Sequence, residues 1–244
     1  MAVHSTDSSS GAPVAGHYTL KQGRYSSHSK IVELAGEGHG RTCVDAGCAS
    51  GYLARELSRN GWRMIGIESD AEAAQEARRH CVDVVEADLT AFDFGGLGPY
   101  DAIVFGDVLE HLPEPSRTLR DATAHLSSGG VTVVSVPNVA HLVVRLSLLA
   151  GRFEYADRGI LDRTHLRFFT RESLLRFLRE CGLEVEVLTC TPAPIEEVFS
   201  RVRHRRLRWI TSIANASSLA WPTLLAYQFL AKARPFERRS VQRS

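Results

Sequence analysis

The sequence is poor in the features that mark secreted, zinc-binding or membrane-spanning chains. Its five cysteines, Cys43, Cys48, Cys81, Cys181 and Cys190, are odd in number and nowhere spaced as CxxC. That pattern argues against a disulfide framework or a zinc ribbon and fits reduced thiols in the cytoplasm. The opening MAVHSTDSSSGAPVAG has neither a basic start nor an apolar run, so it is no secretory signal. Residues 1–16 are expected to form a disordered tail and 236–244 a second tail. Lysine is nearly missing, with Lys21, Lys30 and Lys232 alone among many arginines, and the net charge is only +1. A nucleic-acid partner would therefore need a local basic patch. There is no GK[ST] for a triphosphate. A dinucleotide-binding GxGxxG fails because Tyr52 stands where its third glycine belongs. One uncharged run, Trp209–Ala231, covers 23 residues and is long enough to span a bilayer. Thr211, Asn215, Ser217, Ser218 and Gln228 interrupt it and Pro222 breaks it, which argues against a span.

From Arg41 onward, short apolar runs alternate with amphipathic stretches, the signature of a parallel sheet with helices packed on it. TCVDAG, RMIGIES, DVVEAD, YDAIVFGDV and VTVVSVPN read as five strands. The fourth is apolar nearly throughout, as a central strand buried on both faces should be. Helices are expected over SGYLARELSRNG, DAEAAQEARRH and PSRTLRDATAHL, the last closing at Gly129-Gly130. LEVEVLTC and then TLLAYQFLAKA complete the strands, with Pro222 starting the final one. One domain over 17–235 is expected, with insertions at 138–169 and 192–221 on the sheet's rim, where specificity tends to sit.

The turn VDAGCASGYL joins the first strand to its helix through Gly47 and Gly51, so the backbone can approach a ligand at a helix N-terminus. Glu68, 21 residues beyond Gly47, ends the second strand, where a carboxylate can accept both hydroxyls of a ribose. Asp88 ends the third, within reach of an exocyclic adenine amine. Glycine turn, ribose acid and adenine acid together describe an adenosine pocket without a phosphate clamp.

VDAGCASG resembles the first motif of the class I S-adenosylmethionine methyltransferases, with Ala49 in place of the usual middle glycine. IES, EAD, DAIVFGDVLEHL and the closing hairpin match that family's later motifs in order, over roughly residues 24–235. The resemblance implies a Rossmann-like α/β fold: a seven-stranded, mostly parallel sheet with an antiparallel last strand and helices on both faces. It implies S-adenosylmethionine as cofactor, with Asp45, Gly47 and Gly51 along its methionine and ribose. Glu68 would hold the ribose, Asp88 and Leu89 the adenine, and Asp107 would lie beside the sulfonium. Cys48 and Ser69, next to these residues, join the expected cofactor set.

On the acceptor side His111 is the leading candidate base, since a hydroxyl acceptor must lose its proton as the methyl arrives. A histidine capping or packing the following loop would look the same in sequence. Asp107, Glu110 and His111 also resemble the ExxEH of small-RNA 2′-O-methyltransferases and ubiquinone-pathway O-methyltransferases. In those families two carboxylates and a histidine help hold a divalent ion such as Mg²⁺. DRTHLRFFTRESL resembles the segment that adds a downstream histidine, here His165, giving Glu110 and His165 a catalytic or metal-ligating role by that resemblance. The insertion 138–169 is rich in Arg, Asp, His, Tyr and Phe, a mixture suited to covering a polar acceptor. Similar segments recur in methyltransferases of glycan and natural-product pathways. The bland reading is an ordinary connection with Asp162 and Arg163 paired at the surface and His141 a buried helix residue.

RVRHRRLR (201–208) before an amphipathic stretch suits anionic headgroups or phosphates, and equally a solvated helix face. The expected function is O-methylation of a small polar molecule, a sugar, glycan or natural product. N-methylation, metal-assisted RNA 2′-O-methylation and a non-catalytic adenosine-binding scaffold stand as rivals.

Overall fold

A computed structural model describes residues 25–194 and 204–236 of the protein, with the side chains of 204–208 excepted. The expected tail 1–16 lies outside the described residues, as do 237–244 of the second tail and part of the insertion 192–221.

Seven strands, β1 (Thr42–Ala46), β2 (Arg63–Glu68), β3 (Asp83–Glu86), β4 (Tyr100–Gly106), β5 (Leu126–Pro137), β6 (Leu183–Thr191) and β7 (Gln228–Pro235), form one sheet in the order β3-β2-β1-β4-β5-β7-β6. The pairs among β1 to β5 are parallel, while β7 runs antiparallel to both β5 and β6. Each parallel crossover passes through a helix because parallel neighbours cannot be joined by a tight turn. Helices α1 (Ser27–Ala35), α2 (Tyr52–Arg59), α3 (Ala71–Ala77), α4 (Pro115–Ala124), α5 (Leu142–Leu149), α6 (Arg171–Glu180), α7 (His204–Ala220) and α8 (Pro222–Leu225) complete the order.

The period-2 geometry of the central strands sorts their side chains between two cores. Val44, Ala46, Ile103, Phe105, Val134 and Val136 pack with Leu119 of α4 and Leu174 and Leu178 of α6. The alternate residues Cys43, Ala102, Val104, Val131 and Val133 pack with Ile31 of α1 and Leu53 and Leu57 of α2. Truncating a fully buried leucine such as Leu119 or Leu174 to alanine costs about 2–5 kcal/mol in such a core.

Four local expectations need correcting. Helix α4 stops at Ala124, and Gly129-Gly130 lie inside β5. There the register jumps from Tyr100↔Leu126 to Ala102↔Val131, so the glycines build a bulge, the usual meaning of glycine within a strand. Pro222 opens α8 at its first position, where its missing N–H is harmless, and the final strand starts only at Gln228. Strand β3 ends at Glu86, leaving Asp88 in the turn beyond it. Helix α1 precedes the region where the apolar alternation becomes regular and was not anticipated. Its signals are Ser26, whose side chain caps Ser29 N–H, and the buried Ile31 and Ala35.

Candidate functional site

The carboxyl ends of β1, β2 and β4 converge on one edge of the sheet, where open α/β folds bind ligands. Gly47 and Gly51 both adopt positive φ, +76° in each case. A Cβ on Gly47 would lie 2.8 Å from the Val108 side chain, and one on Gly51 2.8 Å from the Ala77 backbone. Glycine is therefore required at both places, to let the turn lie under β4's end and to let α3 pack against it. Ala49 also has a positive φ, 45°, and carries the strain that a glycine would avoid.

Glu68 ties this turn to the end of β2. One carboxylate oxygen accepts from Ala49 N–H at 2.9 Å, and the other from Ser69 N–H at 2.8 Å and Asp70 N–H at 2.9 Å. Ser69 is exposed beside it. Asp88 is exposed and accepts from Thr90 N–H at 2.8 Å, while the adjacent Leu89 is buried. The Cys48 side chain points away from the edge into a small cluster with Ala74, Ala77 and Val84, and burial pushes its thiol far up. Cys48 can meet a ligand at that edge only through its backbone.

Asp45, 2% exposed, has one carboxylate oxygen without a hydrogen-bond partner. Burial raises its carboxyl to about 7, and the nearby charge of Glu68 adds to the rise. A buried carboxylate left incomplete beside a turn cleared of side chains fits a ligand that brings hydrogen-bond donors or positive charge. S-adenosylmethionine, with its ribose hydroxyls, amino group and sulfonium, is such a ligand.

Asp107 follows β4 with a positive φ of 60°. Its N–H donates to Ser135 Oγ at 3.0 Å, and Ser135 Oγ–H donates back to Asp107 Oδ1 at 2.5 Å. Gln228 Nε2 donates to both carboxylate oxygens at 2.9 Å. Neither Ser135 nor Gln228 was picked out from the sequence. The available signal was a polar residue inside each of the otherwise apolar runs VTVVSVP and YQFLA.

Glu110 and His111 sit in a single helical turn just beyond Asp107. Glu110 is buried, and its backbone oxygen accepts from Leu166 N–H at 2.8 Å and Arg167 N–H at 3.0 Å. These bonds fasten the end of the 138–169 segment to β4's edge and bring His165 beside His111, their rings 4.8 Å apart and edge to face. His165 Nδ1–H donates to Ile160 O at 3.1 Å, which leaves Nε2 as the acceptor. Burial lowers its pKa, helped by His111. His111 Nδ1 lies 3.1 Å from Thr164 Oγ1, which donates at 2.7 Å to the buried Asp162. Burial opposes ionisation of Asp162, but the hydrogen bonds from Thr164 and the adjacent histidines hold its carboxyl below the usual range.

Asp162 therefore faces inward, and the surface pair expected with Arg163 is not made; Arg163 pairs with Asp157 at 2.5 Å. His141 is buried and caps α5, its Nδ1 accepting from Val143 N–H at 3.3 Å.

Ligand atoms of Glu110, His111 and His165 all lie within 4.8 Å of one another, a spacing a divalent ion could close. Asp107 is not one of this group, because Ser135 and Gln228 hold its carboxylate. Of the four residues the resemblance offered as an alternative metal set, three lie together.

A family model described as a methyltransferase domain matches residues 20–188. The chain belongs to the class I S-adenosylmethionine-dependent methyltransferases. Among curated proteins, the methyltransferase is 26% identical over 170 residues to the ubiquinone biosynthesis O-methyltransferase of Aromatoleum aromaticum strain EbN1, covering 66% of this chain and 72% of the relative. It is 30% identical over 169 residues to the protein of the same description from Escherichia coli O157:H7, covering 66% and 70%. Among solved structures, an S-adenosylmethionine-dependent methyltransferase from Archaeoglobus fulgidus superposes with a TM-score of 0.58 at 18% identity, covering 85% of this chain and 94% of that one. That likeness speaks for the fold, and the family match makes S-adenosylmethionine the methyltransferase's cofactor.

Proposed function

We propose that this methyltransferase methylates a hydroxyl oxygen of a small polar molecule, a sugar, glycan or natural product, with His111 as the base. The observation that carries the reading is the hydrogen-bond chain Asp162–Thr164–His111 at the carboxyl edge of β4. Thr164 Oγ1–H is committed to Asp162, so the same oxygen accepts from His111 Nδ1–H. The imidazole is left with a free Nε2 lone pair. Asp45, Gly47, Gly51, Glu68, Ser69, Asp88 and Leu89 would hold the cofactor, with Cys48 contributing through its backbone. Asp107, steadied by Ser135 and Gln228, would lie beside the sulfonium.

Bound S-adenosylmethionine supplies an electrophilic methyl on sulfur. The residues of this chain would align the acceptor oxygen in line with that methyl, and His111 Nε2 would take the hydroxyl proton as the C–O bond forms and the C–S bond breaks to leave a thioether. The exposed stretch 151–158, with Phe153 and Tyr155 in edge-to-face contact, would cover the acceptor. The O-methyltransferase names of the relatives support oxygen as the target.

A second reading draws on the cluster of Glu110, His111 and His165. One carboxylate and two imidazoles form a donor set that fits a divalent ion, which would lower the pKa of an acceptor hydroxyl.

The test is transfer of labelled methyl from S-adenosylmethionine into fractions of a cell extract, with His111→Ala and a chelator as arms. A fall in turnover of about 10²–10⁴ in His111→Ala with unchanged cofactor affinity supports the base. Equal loss of both would reduce His111 to packing, and loss of label on chelation alone would favour the metal reading.

A further inference from the structure

Helix α7 is inside out. The residues it turns towards the domain are polar: Thr211 is buried and Ser218 is wholly so, with Ser218 O accepting from Cys190 Sγ–H at the end of β6. Apart from Ser212, the residues of 209–220 that it leaves exposed are apolar. Trp209 is 76% exposed and Ile213 61%, and with Ala216 and Ala220 they follow one stripe at helical spacing. Trp221, just past its end, is 67% exposed. A helix serving only its own core would show the opposite arrangement.

A second helix also exposes apolar residues. Val143, Leu146 and Leu149 of α5 are exposed at spacing i, i+3, i+6, Leu149 by 84%. Arg145 Nη2 bonds Thr223 O of α8 at 3.3 Å, which joins α5 to the segment that continues from α7. Both helices thus expose apolar residues in rows rather than singly.

Charge decides what covers these rows. Arg205, Arg206 and Arg208 occupy the first turns of α7, and no Asp or Glu occurs between Val198 and Phe236. A second copy of the stretch 198–236 would bring further arginines and apolar groups but no carboxylate to answer them. Phosphate headgroups over acyl chains answer both, and indole rings are at home at that boundary. No described helix is long and apolar enough to cross a membrane, so the fitting geometry lies on the surface rather than through it.

We propose that α7, with the outward face of α5, docks this methyltransferase on an anionic lipid surface. The inference does not depend on which atom the enzyme methylates or on His111. The arginines attract the headgroups, while Trp209, Ile213 and Trp221 enter the boundary between headgroups and acyl chains.

The experiment is flotation of the full-length protein with vesicles of phosphatidylcholine alone or mixed with phosphatidylglycerol, followed by tryptophan emission. Trp62 is buried in the core and gives a constant background. Binding should require the anionic lipid, weaken with salt, and shift the emission to the blue. Each arginine of α7 changed to serine should weaken partitioning about fivefold. The double change Trp209→Ser, Ile213→Ser should weaken it at least tenfold with an unchanged Tm, since both side chains are exposed. The proposal is overturned by absence of flotation or by equal flotation of the double variant. It is also overturned by self-association that shields the tryptophans without lipid, or by RNA binding that leaves their emission unchanged.

Discussion

The two halves of the proposed site, a cofactor side and an acceptor side, are built differently. On the cofactor side, around β1 and β2, the bonds are short-range and mostly to backbone: Glu68 takes N–H groups from Ala49, Ser69 and Asp70. On the acceptor side, around β4, side chains bond to side chains far away in sequence: Asp107 to Ser135 and Gln228, His111 to Thr164. The first kind of site is carried by one turn and one strand end. The second exists only when several strands and a loop are assembled, so it is more easily disturbed from a distance.

Glu68→Ala should have the largest effect, because it frees three N–H groups at once. We expect cofactor affinity to fall at least about a hundredfold, since the contacts proposed from its carboxylate to the ribose hydroxyls are charge-assisted bonds of roughly 1.5–3 kcal/mol each. Calorimetric titration checks this, and unchanged affinity would break the assignment of the pocket. Gln228→Ala tests the other half. It strips Asp107 of one donor group and should lower stability by about 1–3 kcal/mol while reducing turnover more than cofactor affinity. A loss confined to cofactor binding would erase the distinction between the halves.

The same contrast explains what could be read in advance. The glycine turn and its tie to Glu68 were legible because Gly47, Gly51 and Glu68 belong to one βαβ unit, where spacing along the chain is spacing in space. The sheet was legible from its apolar runs for the same reason. Gln228, Ser135 and Thr164 were not, since a polar residue within an apolar run hints at a buried partner but does not say which one, here 121 residues away for Gln228. Pro222 misled because it suits the start of a strand and of a helix alike, and Gly129-Gly130 because glycine ends helices and also builds bulges.

Asp45 gives a subtler probe. Its folded carboxyl titrates at about 7, against about 3.9 unfolded. The folded state therefore holds a proton that the unfolded state has released, and this contribution to stability is present below about pH 4 and lost as pH rises through 7. Denaturant midpoints of the cofactor-free protein should carry that decline, and Asp45→Asn should flatten it. A decline of equal size in the variant would assign it to another group.

The smallest expected effect is at Ala49. Ala49→Gly should relieve its left-handed backbone and raise stability by about 1 kcal/mol or less, the gain being offset by the freer unfolded chain. Thermal melts measure it, and destabilisation would mean that the methyl group packs usefully.

The antiparallel β7 lies between β5 and β6 and, among the described strands, is the one that β6 pairs with. During synthesis the chain emerges N-terminus first, so β1 to β5 and the adenosine edge have all left the ribosome while β6 still lacks a neighbour. Gln228, the residue that grips Asp107, arrives only with that last hairpin. A nascent chain can thus complete its cofactor edge before its acceptor edge, and stalling or truncation before residue 228 would leave an open sheet edge with half a site.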